Sequence, residues 1–206
     1  MRPIKTIIFD FDGVLCKDYF YTNLQTTHPK VSEFIETKIF DKGSKIPDKW
    51  MRGELSSDDI NKIISKETSI DFKELSELFV ESIKIMQIDQ RLLDLAKLLT
   101  AKGREIALVT NNMDIFSIVT IPHNKLDKIF PIIVNSADHK LLKQDENGKL
   151  FDIAMSKLNG PKYTETLLID DSLRARKIFQ NKGGRTFPYK TYEQFRPWAE
   201  VNLLNN

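Results

Sequence analysis

Asp10 and Asp12 stand one residue apart, after an apolar run from Ile4 to Phe9 and before Gly13. The run predicts a short buried strand that ends in two carboxylates. Residues i and i+2 of an extended strand share a face, but a turn at Gly13 would release Asp12 from that alternation. One carboxylate then sits at the strand's carboxyl end and the other just beyond it, over the crevice where open α/β sheets bind ligands. Carboxylates gathered there cost desolvation unless a positive charge compensates, and a divalent cation is the usual solution. A strand followed by an Asp-Gly turn is also common for purely structural reasons. The pair must therefore be weighed with the rest of the chain.

Three more clusters follow predicted strands: Thr110-Asn111, the loop holding Lys143, and Asp170-Asp171. Taken singly, each has an ordinary explanation, since Thr-Asn-Asn and Asp-Asp-Ser cap helices and a loop lysine is usually solvated. A parallel sheet brings all its strand carboxyl ends to one edge, so the clusters converge. A carboxylate nucleophile, a cation held by further carboxylates, a hydroxyl and a lysine together suit an incoming phosphate. The cation and lysine neutralise phosphoryl oxygens while the carboxylate attacks phosphorus. A second acid protonates the leaving alcohol and later activates water. Phosphate esters hydrolyse so slowly that accelerations of up to ~10²¹ are required, which calls for this much positioned charge.

The elements that must position these groups are legible in the hydrophobic period. Ile106 to Val109, Ile129 to Val134, Thr166 to Ile169 and a short stretch near Thr186-Phe187 predict further strands. Helical spacing separates them: Leu92 to Leu99, Phe151 to Leu158, Ala175 to Phe179, and a closing amphipathic segment around Tyr192, Phe195, Trp198 and Val201. Such alternation predicts a parallel, helix-covered sheet, a Rossmann-like α/β core. Between the first strand and the Leu92 helix, residues 16–86 read as wholly helical, with N-cap signals at Ser56 and Asp71. The expected domains are a core of residues 1–15 and 87–206 and an inserted helical cap of residues 16–86.

These motifs resemble the haloacid dehalogenase-like hydrolases over nearly the whole chain. Phe9-Asp10-Phe11-Asp12-Gly13-Val14-Leu15 matches the first motif of that family, Leu108-Val109-Thr110-Asn111-Asn112 the second, and Leu168-Ile169-Asp170-Asp171-Ser172 the fourth. The resemblance implies Asp10 as nucleophile and Asp12 as acid/base, with the Asp12 backbone carbonyl also on Mg²⁺. It further implies Thr110 and Asn111 as phosphate holders, and Asp171 supported by Asp170 at the metal. In the third motif, Ser136 and Lys143 keep the family's seven-residue spacing, but Gln144 replaces the usual proline, which makes Lys140 a competitor. Ala175 stands where many relatives have asparagine. The acid at Asp12 favours a phosphatase or phosphomutase over a halide-removing relative, whose leaving group needs no proton. The expected activity is hydrolysis of a small phosphorylated metabolite, with phosphomutase as the alternative. A receiver-like signalling module or a ligand-binding protein without turnover is the alternative outside that class. A receiver places its acidic pair and its phosphorylated Asp in a different order and has no room for the insertion. In the cap, Lys17, Tyr21, Trp50 and Arg52 are the first candidates for specificity, although Trp50 equally suits packing between helices.

Composition narrows the field. The chain of 206 residues is 41% hydrophobic and 29% charged with a net charge of +2, and Lys and Arg are spread along it. A basic tract that would imply nucleic acid is lacking. The single cysteine, Cys16, rules out an internal disulfide and fits a reducing compartment. The apolar run after Arg2 is too short for a signal-peptide core, and none approaches a membrane span. The expectation is a cytoplasmic monomer or homodimer. His28, His123 and His139 lack ligand spacing and read as surface or loop residues.

Overall fold

The computed structural model describes residues 3–204, so the outermost ends of the predicted core segments, with Arg2, lie outside the described residues. In chain order, β1 (Thr6–Phe9) is followed by a helical insertion of α1 (Leu24–Thr27), α2 (Pro29–Phe34), α3 (Ile46–Met51), α4 (Ser57–Thr68) and α5 (Phe72–Lys84). Then come α6 (Gln90–Ala101), β2 (Glu105–Thr110), α7 (Ile121–Asn124), β3 (Ile132–Asn135), α8 (Ser136–His139), α9 (Lys149–Lys157), β4 (Thr166–Asp170), α10 (Leu173–Asn181), β5 (Arg185–Pro188) and α11 (Tyr192–Ala199).

The strands form one parallel sheet in the order β3-β2-β1-β4-β5. The first strand is thus central, and the chain order reverses beside it, which makes its carboxyl end the switch point where such sheets bind ligands. The three central strands β2, β1 and β4 are covered on both faces and read as largely apolar runs. Ile7 and Phe9 point into a core shared with α6 and α11, whereas Ile8, between them, points into the other core against Phe151 and Phe179. Phe9 is level with Leu108 of β2 and with Ile169 of β4. Asp10 therefore emerges level with Asp170 on one side and with Val109, the residue before Thr110, on the other.

The N-caps fall where expected. Ser56 and Asp59 form a reciprocal capping box on α4, and the Asp71 carboxylate accepts the Lys73 and Glu74 N–H groups at the start of α5. Two readings need correction. Residues 16–23 are not helical: Cys16 makes isolated bridges, 17–19 are irregular and 20–23 turn, because Tyr21 sits in the left-handed region at φ 59° and its N–H is taken by the Ser82 hydroxyl. The third strand starts at Ile132 rather than Ile129, because Ile129 and Phe130 complete the preceding turn with N–H bonds to the Leu126 carbonyl.

The insertion packs firmly on the core. Trp50 Nε1 donates to Asp114 at 3.0 Å, and the Ser57 N–H and hydroxyl donate to the same carboxylate. Arg52 makes a two-pronged ion pair with Asp145, at 2.7 and 2.9 Å. Between these anchors a Cβ at Gly53, φ +63°, would collide with the Ala137 carbonyl, so the two backbones nearly touch there.

Candidate active site

The first acidic residue is fixed by the sheet. Asp10 N–H donates to the Ile169 carbonyl and its side chain accepts the Phe11 N–H at 2.7 Å, so the carboxylate leaves the strand in one orientation. The chain then turns: Leu15 and Cys16 N–H groups both return to the Phe11 carbonyl. Gly13 carries the turn at φ +74°, and a Cβ there would run into the Asp171 carboxylate. Only glycine lets β1 and β4 present their acids so close together. Asp12 is thereby turned into a large cavity beneath the helical insertion.

Lys143 is the hub. Its Nζ lies 2.6 Å from Asp10 and 2.8 Å from Asp170, and the side chain is buried. Burial works against its charge, but Asp10 and Asp170 together more than offset it, so the ammonium is held protonated above its usual value. Lys140 is instead exposed, in the left-handed region at φ 55° at the end of α8. The chain places Lys143 through Asn111, whose side-chain oxygen accepts the Lys143 N–H at 2.7 Å while its amide group donates to Gln144 Oε1 at 3.1 Å. Gln144, which replaces the expected proline, thus ties the lysine loop to β2. Thr110 Oγ1, by contrast, is buried with no hydrogen-bond partner among the described residues, which is costly unless a ligand supplies one.

Asp10, Asp170 and Asp171 each offer a carboxylate oxygen within 4.8 Å of the others. The Asp12 carboxylate lies outside that group and instead accepts the Asn112 amide at 3.1 Å. Sequence reasoning missed Asn112 as a site residue, although it is the third member of the Thr-Asn-Asn cluster. Ser136 matters in the sequence only for its distance from Lys143, but in the fold it braces this cluster. Its hydroxyl bonds both the N–H and the carbonyl of Asn112. Asp114 also escaped notice, since a lone acid early in a helical segment gives no signal of an anchor from another part of the chain.

The electrostatics follow from four carboxylates around one ammonium. Burial raises the Asp10 carboxyl well above its ordinary value and the Asp170 charge adds to this, against the opposing pull of Lys143. Burial and then the Asp170 charge also raise Asp171. Asp12 is pushed up to about 7, chiefly by desolvation in the cavity and further by Asp171, with Lys143 and the Asn112 amide opposing. A proton is thus bound more tightly in the folded than in the unfolded chain between the ordinary value of 3.8 and about 7. Stability must fall as pH rises through that window. Carboxylates held low, such as Asp145 beside Arg52, act only below 3.8; His139, lowered by burial, opposes the trend below its ordinary 6.5, one group against three raised acids. Thermal melts in chelator should therefore drop from pH 5 to pH 7.5. A flat profile would mean that the site acids are already ionised in the folded protein.

A three-layer α/β protein with an acidic cluster at the switch point of its parallel sheet has its ligand site at that edge. Residues 4–175 match the model of the haloacid dehalogenase-like hydrolases, and the chain belongs to that family. Among curated proteins none matches significantly. Similar solved structures include a family enzyme from Bacteroides thetaiotaomicron (19% identity, TM-score 0.76, covering 97% of this chain and 98% of that one). A predicted family hydrolase from Porphyromonas gingivalis is comparable (18% identity, TM-score 0.76, 100% of both chains). The Bacteroides enzyme is also known in complex with magnesium and inorganic phosphate (19% identity, TM-score 0.69, 93% and 98% covered). A dehalogenase shares the fold too, at 13% identity and TM-score 0.68 over 98% of this chain and 99% of that one. The fold alone does not choose between phosphate and halide chemistry. No helix among the described residues is long and apolar enough to cross a membrane.

Proposed function

We propose that the protein is a Mg²⁺-dependent phosphatase that hydrolyses a small phosphorylated metabolite through an aspartyl-phosphate on Asp10. The observation that carries this reading is Asp12, an acid turned into the cavity beside Asp10 and held there by the Asn112 amide at 3.1 Å, where it can pass a proton to a leaving alcohol. Dehalogenation would have no use for it. In this reading residues 1–15 and 87–206 are the core and residues 16–86 the cap.

The donor set fits the cation. Asp10, Asp170 and Asp171 offer only oxygens, without His or Cys, which suits a hard divalent ion, and one ammonium cannot balance the carboxylates around it. Asp10, Asp171 and the Asp12 backbone carbonyl would hold Mg²⁺, with Asp170 in support. Bound there, the ion supplies charge neutralisation for phosphoryl oxygens and returns Asp10 to its ionised, nucleophilic form. The Asp10 carboxylate attacks phosphorus as the ester oxygen departs, and Asp12 donates its proton to that oxygen. Asp12, now ionised, takes a proton from water as its oxygen attacks the acyl-phosphate, releasing inorganic phosphate and restoring Asp10. Lys143 and the Thr110 hydroxyl meet the phosphoryl oxygens. Asn111 acts mainly by holding Lys143, since its side chain is engaged at both ends.

The test is phosphate release from a generic aryl phosphate. Activity should be lost with chelator and restored by Mg²⁺, and turnover indifferent to chelator would sink the proposal. The rise in melting temperature caused by Mg²⁺ should also be larger at pH 7.5 than at pH 5, because the ion binds deprotonated carboxylates.

A further inference from the structure

The cavity continues from Asp12, Gly13 and Asp171 up beneath the helical insertion, with a volume of about 890 Å³. That is far more than a phosphate needs, and ample for an alcohol of drug-like size. Its upper wall is built from Phe20, Ile35, Phe40, Met51, Met86 and Met113. Two of these are braced from behind: the Trp50 ring lies 6.1 Å from Phe20 and 6.3 Å from Phe40, and Trp50 is itself buried and pinned to Asp114. Trp50 and Arg52, expected as specificity residues, do not line the cavity at all; they hold the wall and the cap in place.

Three polar groups of the lining segment 17–21 are already engaged by the protein. Lys17 donates to the Lys190 carbonyl at 2.7 Å, Asp18 accepts the Gln87 N–H at 2.6 Å, and the Tyr21 hydroxyl donates to Asn61 at 2.7 Å. Cys16, its thiol pushed up to about 11 by burial, is neutral. Tyr19, Thr22, Gln25, Glu36, Tyr189 and Lys190 also line it, all but Tyr189 exposed and set apart from the buried apolar wall of Ile35, Met86 and Met113. A sugar with a ring of hydroxyls would leave several of them unpaired against aromatic and thioether surface, and such losses discriminate strongly.

We propose that the leaving alcohol of the substrate is bulky and largely apolar, with an aromatic or branched aliphatic body, rather than a polyhydroxylated sugar. The proposal rests on the phosphatase reading above. The test compares 2-phenylethyl phosphate with glucose 6-phosphate, both esters of primary alcohols, in the wild type and in Met51→Gln, under saturating Mg²⁺. The wild type should favour the aralkyl ester by about tenfold or more in kcat/KM, and Met51→Gln should shrink that ratio about fivefold, as expected when a polar group enters an apolar subsite. Phe40→Gln, at a 38% exposed position, serves the same purpose should the Met51 variant not fold. Hydrolysis with a ratio at or below one, or a ratio unmoved in a folded variant, overturns the inference while the phosphatase reading stands. No hydrolysis of either ester or of the aryl phosphate overturns both.

Discussion

Asp10→Asn should abolish turnover, lowering kcat by more than about a thousandfold, the scale expected when a covalent nucleophile is removed. The substitution keeps the shape and the Phe11 N–H contact, because an amide oxygen can accept that hydrogen bond as a carboxylate does. The fold should therefore survive. It also relieves a buried carboxyl that burial and Asp170 hold well above its ordinary value. Melting temperature should thus change little while chemistry disappears. Phosphoenzyme trapped by acid quench should be present in the wild type and absent in the variant. Equal labelling of both proteins would move the nucleophile to another residue.

Lys143→Ala should cost both stability and rate, and so contrasts with Asp10→Asn. The ammonium is the one positive charge within ion-pairing distance of Asp10 and Asp170 among the described residues, and both acids are buried. Leaving buried partners uncompensated typically costs about 3–5 kcal/mol. The loss should be greatest at alkaline pH, since at low pH the orphaned carboxyls can take up protons. A phosphate dianion would also lose a contact of about 4 kcal/mol at an effective dielectric near 20. Lys140→Ala is the control: exposed and outside the cluster, it should fall within about 0.5 kcal/mol of the wild type and keep its activity. Loss of activity in Lys140→Ala alone would shift the third motif by one helical turn. Thermal melts with chelator at pH 6 and pH 8, beside steady-state rates with Mg²⁺, read out both effects.

Both experiments bear on how cap and core are coupled. Asp145, which receives Arg52 from the cap, lies two residues beyond Lys143, and its carboxylate also accepts the Leu142 N–H. Asp114, which receives Trp50 and Ser57, lies two residues beyond Asn112. The cap is therefore anchored to the same loops that carry the site's polar groups.

Much of this was legible in the sequence because its signals are local. Apolar runs broken by Asp-x-Asp-Gly, Thr-Asn-Asn and Asp-Asp-Ser mark strand ends. Parallel pairing then leaves those ends one edge to share, whatever the details of the helices between them. The Ser56 and Asp71 caps are likewise set by groups within three residues of one another. Tertiary structure decided what depends on partners distant in the chain. Periodicity could not show that residues 16–23 are not helical, because the Tyr21 N–H finds its partner at Ser82. Spacing could not show which lysine meets Asp10 and Asp170, because Lys143 is placed there by Asn111, which meets Gln144 across 33 residues. The cavity wall is the furthest case: Trp50 is an ordinary packing aromatic by type. Only its burial between Phe20 and Phe40, with its N–H spent on Asp114, makes it a brace rather than a contact. A hydrogen bond or packing contact between distant segments leaves no periodic trace in either one, so it becomes visible only when the chain has closed upon itself.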